Sequence, residues 1–209
     1  MKRLMRTALS NGLALLAFSV IGTTLLAGTY SLTLNMIARS EQAKQQALLA
    51  QTLPDGSFDN DLTQETTPLP ADPLLGNKKA SQVYLARKNG QASGVVFEVT
   101  APDGYAGEIG LLVGILADGR IGGVRVVRHK ETPGLGDYIE IKKNPWIRQF
   151  DGLSLSNPMA TQWKVRKDGG HFDYLAGATV TPRAVVKAVN KALQYFELHK
   201  AELLAKAKE

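Results

Sequence analysis

Two stretches of this chain carry residues whose types and spacing suit chemistry. The first is Asp173-Tyr174-Leu175-Ala176-Gly177-Ala178-Thr179-Val180-Thr181-Pro182-Arg183. Here a hydroxyl follows three small residues, Ala176, Gly177 and Ala178, which let the backbone come close to a bulky ligand. Thr181 reads as a helix N-cap and Pro182 as the first helical residue. The free N–H groups and positive dipole end of the helix that follows make an anion site suited to phosphate. Thr179 therefore stands where a phosphate could be held or esterified. The same residues would equally serve only to close a loop and cap a helix.

The second stretch is His129-Lys130-Glu131-Thr132-Pro133-Gly134-Leu135-Gly136-Asp137. Pro133 fixes one φ, while Gly134 and Gly136 open backbone angles that other residues avoid. The product is a shaped loop with exposed N–H groups, suited to line a planar ligand or to form a rigid turn. His129, His171 and His199 lack metal-ligand spacing with one another and with carboxylates, so no metal site is expected. Hydrolase and Walker-type phosphate-loop motifs are absent, as is the Gly-x-Gly-x-x-Gly of a dinucleotide fold.

These stretches need elements to position them. Gln82–Arg87 and Gly94–Thr100 read as strands joined by the hairpin signal Asn89-Gly90, and Gly110–Leu116 and Ile121–Val127 as a second hairpin around Asp118-Gly119. The unbroken apolar run Leu111–Leu116 predicts a strand covered on both faces. Asn144-Pro145 opens a short helix through Phe150, and Trp163–Arg166 reads as a further strand. Trp146 and Trp163 are expected in the core or at its rim, and Lys142-Lys143 on a solvated face. A long helix runs from Pro182 to about Lys206, with Val185, Val189, Leu193 and Phe196 on the face toward the sheet. A mostly antiparallel sheet packed with helices is an α+β domain.

Composition sets the outer limits. With 44% hydrophobic and 21% charged residues the chain is globular. Of the net charge of +6, Lys2, Arg3 and Arg6 supply half before the first apolar run, and no basic stripe with interleaved aromatics suggests a nucleic-acid partner. There is no cysteine, which excludes disulfides and Cys-ligated zinc or iron–sulfur clusters in this chain. Thr7–Ala38 holds no charge, and its apolar centre, Leu13–Leu34, would reach ~33 Å as a helix, enough for a ~30 Å hydrocarbon core. A cleaved signal peptide is the alternative, with Leu26-Ala27-Gly28-Thr29 as its cleavage site, but such apolar regions are about 7–15 residues long. The expected organisation is a basic cytoplasmic head at 1–10, a transmembrane helix at 11–37, a juxtamembrane helix and surface connector at 38–80, and an extracytoplasmic domain at 81–209. The basic head sets that orientation by the positive-inside rule.

Gly177-Ala178-Thr179, with Asp173 before it and Thr181 after it, resembles the flavin-attachment motif of the FMN-binding domain family. The longer run Ala176–Val186, the Glu131–Gly136 loop and the hairpin from Gly107 to Gly123 resemble the G subunits of Rnf/Rsx-type electron-transport complexes, over roughly residues 80–200. The C subunits of sodium-pumping NADH:quinone reductases are similar but usually carry Ser where Ala176 stands. The resemblance implies FMN bound covalently as a phosphoester on Thr179. Ala176, Gly177, Ala178 and Thr181 would lie around the attachment point, and Glu131, Thr132, Gly134, Leu135 and Gly136 would border the cofactor. His129 would reach a flavin carbonyl or be merely solvated, and Tyr174 would approach the ring or pack in the core. It further implies a single-pass inner-membrane protein with a periplasmic domain, matured by a flavin transferase. Such a protein passes electrons among the membrane subunits of its complex and is not an enzyme alone. The reading from another class is an anchored scaffold module without redox activity.

Overall fold

The computed structural model describes Met1–Ala205. Helix α1 runs Lys2–Ala50, and contacts divide the chain into Met1–Gln45 and a body that starts at Gln46. Within the first unit, Arg3–Leu34 is long and apolar enough to cross a membrane. Its large side chains, among them Leu13, Leu16, Phe18, Leu25 and Leu32, are exposed. Its threonines are suited to hydrocarbon because they spend their polarity internally. Thr23, Thr24, Thr29 and Thr33 each donate to the carbonyl four residues back, at 2.7–2.9 Å.

The body is built on a five-stranded antiparallel sheet in sequence order: β1 (Thr66–Leu69), β2 (Ser81–Lys88), β3 (Gln91–Ala101), β4 (Ile109–Leu116) and β5 (Ile121–Arg128). The register pairs Val83 with Phe97, Phe97 with Val113 and Val113 with Val124. Alternation then sends Val95, Phe97, Val99, Leu111, Val113 and Ile115 to one face and Val96, Leu112 and Gly114 to the other. Helix α2 (Val180–Ala205) covers the first face. Its Val185, Val189, Leu193 and Phe196 are buried as the spacing predicts. Phe97 meets Tyr195 and Phe196 edge-on at 5.6 and 6.5 Å. The expected end of α2 near Lys206 lies outside the described residues.

The second face corrects the surface-connector reading of the segment before Ser81. Leu49, Leu53 and Leu62 are buried against Tyr84, Ala86, Val96 and Leu112, and Thr66–Leu69 adds β1 to the sheet edge. The chain at Gln51–Leu53 crosses the sheet so closely that a Cβ on Gly114 would lie 2.0 Å from the Thr52 carbonyl oxygen. Arg125 fixes this crossing, its Nε donating to Gln51 Oε1 at 3.2 Å and its Nη1 to the Val124 carbonyl at 2.7 Å. Leu111–Leu116 is thus covered on both faces, as its unbroken apolar run requires.

Two further expectations change. Trp163–Arg166 is not a strand: the segment turns through 3₁₀ pieces at Ala160–Gln162 and Arg166–Asp168, with a single bridge from Val165 to Phe172. Aromatic packing takes the place of ladder pairing, since Phe150, Trp163 and Phe172 stack within 4.7–6.4 Å of one another. The short helix after Asn144 is a 3₁₀ helix, Pro145–Phe150, capped by the Asn144 side chain accepting from Trp146 N–H at 2.9 Å.

Candidate flavin site

The start of α2 differs from the sequence expectation by two residues. The first helical hydrogen bond runs from Arg183 N–H to the Thr179 carbonyl at 3.4 Å, which puts Thr179 at the N-cap and Pro182 in the third helical position. Proline is tolerated there because the first-turn N–H groups have no helical acceptor. Thr181 is not the cap. It is 1% exposed, and its hydroxyl donates inward to Glu131 Oε2 at 2.5 Å.

That bond joins the two stretches singled out in the sequence. Glu131 is 4% exposed, and its other oxygen accepts from Ala106 N–H at 3.1 Å. Glycine is needed at 136, where a Cβ would stand 2.8 Å from Glu131 Oε2 and 3.1 Å from Thr181 Oγ1. Glu131 and Thr181 therefore spend their side chains holding the loops together. Outside this buried tie, Thr132, Gly134 and Leu135 are exposed. Leu135 reaches across to the other loop, its Cδ1 lying 3.7 Å from where a Cβ on Gly177 would be. Gly177 has φ +87°, an angle that favours glycine. Ala178 N–H closes the turn onto the Leu175 carbonyl at 3.0 Å.

Charges stiffen the Thr132–Gly136 turn from below. The buried Asp137 carboxylate accepts from Lys143 Nζ at 2.6 Å and from Gly134 N–H. The Lys143 ammonium, then the Gly134 amide, hold its pKa below the usual carboxylate range. Lys143 also reaches Glu140 at 3.0 Å, so only Lys142 of that pair is a free solvated side chain among the described residues. His129 is neither solvated nor available to a ligand. Its Nδ1 accepts from Glu131 N–H at 3.0 Å, so the Nε2 hydrogen faces Glu140 Oε1 at 2.7 Å. The bond to His129, then that to Lys143, lowers the Glu140 pKa.

Thr179 is in the opposite condition to Thr181. It is half-buried, and among the described residues its hydroxyl has no hydrogen-bond partner. Beside it the Val180 and Thr181 N–H groups precede the first helical bond, and none of Ala176, Gly177 and Ala178 presents more than a methyl. A groove of about 370 Å³ adjoins the loop, lined by Tyr138, Asn144, Pro145, Trp146, Gln149, Asp173, Tyr174 and Leu175. Its walls are held by bonds into the 173–175 backbone. Trp146 Nε1 donates to the Asp173 carbonyl at 2.7 Å, Gln149 Oε1 accepts from Asp173 N–H at 2.9 Å, and Tyr138 Oη accepts from Leu175 N–H at 3.4 Å. Trp146 is thus buried and also part of the rim, and Tyr174 stands at the mouth, 40% exposed. Sequence reasoning missed Tyr138, Asn144, Gln149 and Leu175 as groove residues. Their only sequence signal was the Asn-Pro-Trp helix start.

A hydroxyl without a partner among the described residues at a helix N-terminus, with a groove of ligand size walled by Tyr138, Trp146 and Tyr174 on the preceding loop, suits a molecule that is phosphate at one end and flat at the other. The class is that of FMN-binding proteins: residues 104–194 match the FMN-binding domain family and residues 1–52 the RnfG N-terminal region. The chain is 50% identical over 200 residues to the G subunit of the ion-translocating oxidoreductase complex of Pseudomonas aeruginosa, covering 96% of this chain and 94% of that one. It is 46% identical over 193 residues to the G subunit from Vibrio cholerae, 92% of each chain, and 42% identical over 200 residues to that of Aliivibrio fischeri, 96% and 95%. The chain belongs to the family of G subunits of ion-translocating oxidoreductase complexes. This decides for the G-subunit reading over the C-subunit alternative.

Proposed function

We propose that this chain carries FMN as a phosphoester on Thr179 Oγ1 and relays electrons inside an ion-translocating oxidoreductase complex, its domain on the periplasmic side of the membrane. The observation that carries the reading is the contrast between two threonines two residues apart. The Thr181 hydroxyl is committed to Glu131, whereas that of Thr179 is free beside the open N–H groups of α2. Attachment from FAD forms the Oγ1–phosphorus bond as the pyrophosphate bond to AMP breaks, with a separate flavin transferase taking the hydroxyl proton. The bound flavin supplies the electron-accepting chemistry, and the protein supplies position and electrostatics.

Each residue then has a task. The helix N-terminus stabilises the phosphodiester charge. Arg183 is not a phosphate ligand in this arrangement, because Asp168 holds it with two bonds of 2.6 Å. Ala176 and Gly177 leave room beside the ester, and Leu135 with Tyr174, Leu175 and Trp146 offers apolar surface to the ring. The relatives' name places those proteins in a multi-subunit complex, so the partners of this chain are its other membrane subunits. In-gel flavin fluorescence after denaturing electrophoresis, on protein co-expressed with a flavin transferase, tests the reading. Wild type and Thr181→Ala are expected to fluoresce and Thr179→Ala to be dark. A dark wild type, with the transferase active on another substrate, would reduce Thr179 to a helix cap.

A further inference from the structure

Among the polar side chains that line the groove, Tyr138 holds an unspent hydrogen inside the protein. Gln149 uses both ends of its amide, accepting from Asp173 N–H and donating to the Trp146 carbonyl at 3.3 Å. Trp146 donates to the Asp173 carbonyl. Tyr138 Oη accepts from Leu175 N–H, but its own hydrogen has no acceptor among the described residues. The side chain is only 9% exposed, and the Trp146 ring, edge-on at 5.5 Å and 80°, fixes its direction. A buried donor without an acceptor is costly and uncommon, and this one lines the groove against the loop that leads, four residues after Leu175, to Thr179.

We propose that the Tyr138 hydroxyl donates a hydrogen bond to a ring acceptor of the flavin in this groove and thereby raises the flavin's reduction potential. The inference rests on the FMN reading above. Reduction adds electron density to the ring's acceptor atoms, and a hydrogen bond to a more negative acceptor is stronger, so the donor favours the reduced form. Burial pushes the Tyr138 phenol up to about 12, which keeps it protonated, and a donor, throughout the physiological range.

The test is redox potentiometry, followed by flavin absorbance, on full-length protein matured with a flavin transferase. Tyr138→Phe is expected to keep its covalent flavin while its oxidised–reduced equilibrium moves about tenfold toward the oxidised form, ~30 mV for a two-electron couple. Replacement of Tyr138 by 3-fluorotyrosine, a near-isosteric and stronger donor, is expected to move the equilibrium the other way. A role in packing alone predicts no such reversal. Unchanged potentials in both variants overturn the inference while leaving FMN on Thr179 intact. If Tyr138→Phe fails to fold, the fluorotyrosine protein decides alone, an unshifted potential overturning the proposal. Wild-type protein without flavin overturns the underlying FMN reading instead.

Discussion

Replacing Thr181 by Val removes the donor to Glu131 while keeping the shape of the side chain, and so isolates the bond that joins the two site loops. The Glu131 carboxylate is 4% exposed and receives two bonds, from Thr181 Oγ1 at 2.5 Å and Ala106 N–H at 3.1 Å. A hydrogen bond to a charged group contributes about 1.5–3 kcal/mol, and its loss leaves a buried charge half-satisfied. For a domain of this size ~1 kcal/mol moves Tm by about 2–4 °C, so Thr181→Val is expected to melt ~3–12 °C below wild type. The assay is thermal unfolding followed by near-UV circular dichroism in detergent, run as a cycle with Glu131→Gln. Because the two groups touch, the double variant should fall short of the sum of the singles by about 1 kcal/mol. A melting point within about 1 °C of wild type, or strict additivity, would refute the reasoning.

Three other outcomes follow from the fold. Gly114→Ala forces a Cβ to 2.0 Å from the Thr52 carbonyl oxygen and should cost about 3 kcal/mol or more, read by urea unfolding. A chain started at Ser81 loses β1 and the buried Leu49, Leu53 and Leu62, and should aggregate where one started at Gln46 stays soluble on gel filtration. Asp137 and Glu140 both have folded pKa values lowered by hydrogen-bonded neighbours. The stability they contribute is present above the ordinary carboxylate range of about 4 and is lost as pH falls through the folded values. Protection from hydrogen exchange at Gly134 to Gly136, taken relative to the unstructured rate at each pH, should therefore fall at acid pH, and Lys143→Met should move that loss to higher pH.

Much of this was legible in the sequence because local pattern and tertiary role coincide. The β2–β5 hairpins follow from Asn89-Gly90 and Asp118-Gly119, and the buried face of α2 follows from Val185, Val189, Leu193 and Phe196. The site loops stood out because glycine and proline punctuate them. What remained hidden depends on partners distant in sequence. The segment at 51–69 is polar enough to read as surface, and its place comes from the Gly114, Gly122 and Gly123 backbone that Gln51–Pro54 crosses, the cluster around Leu62 and the pairing of Thr66–Leu69 with β2. Trp163–Arg166 has strand composition, but its neighbours are aromatic rings rather than a free sheet edge. Thr181 resembled a cap because nothing local shows that a carboxylate 50 residues earlier takes its hydroxyl. The groove is assembled from residues 138–149 and 173–175, and no spacing within either piece indicates that they meet.

The most direct test of the central claim is tandem mass spectrometry of the tryptic peptide Asp168–Arg183 from protein matured with a flavin transferase. The expected peptide is heavier by one FMN less water, with fragments placing the addition on Thr179. An unmodified peptide from a preparation whose transferase is active, or an addition on any other residue, would contradict it.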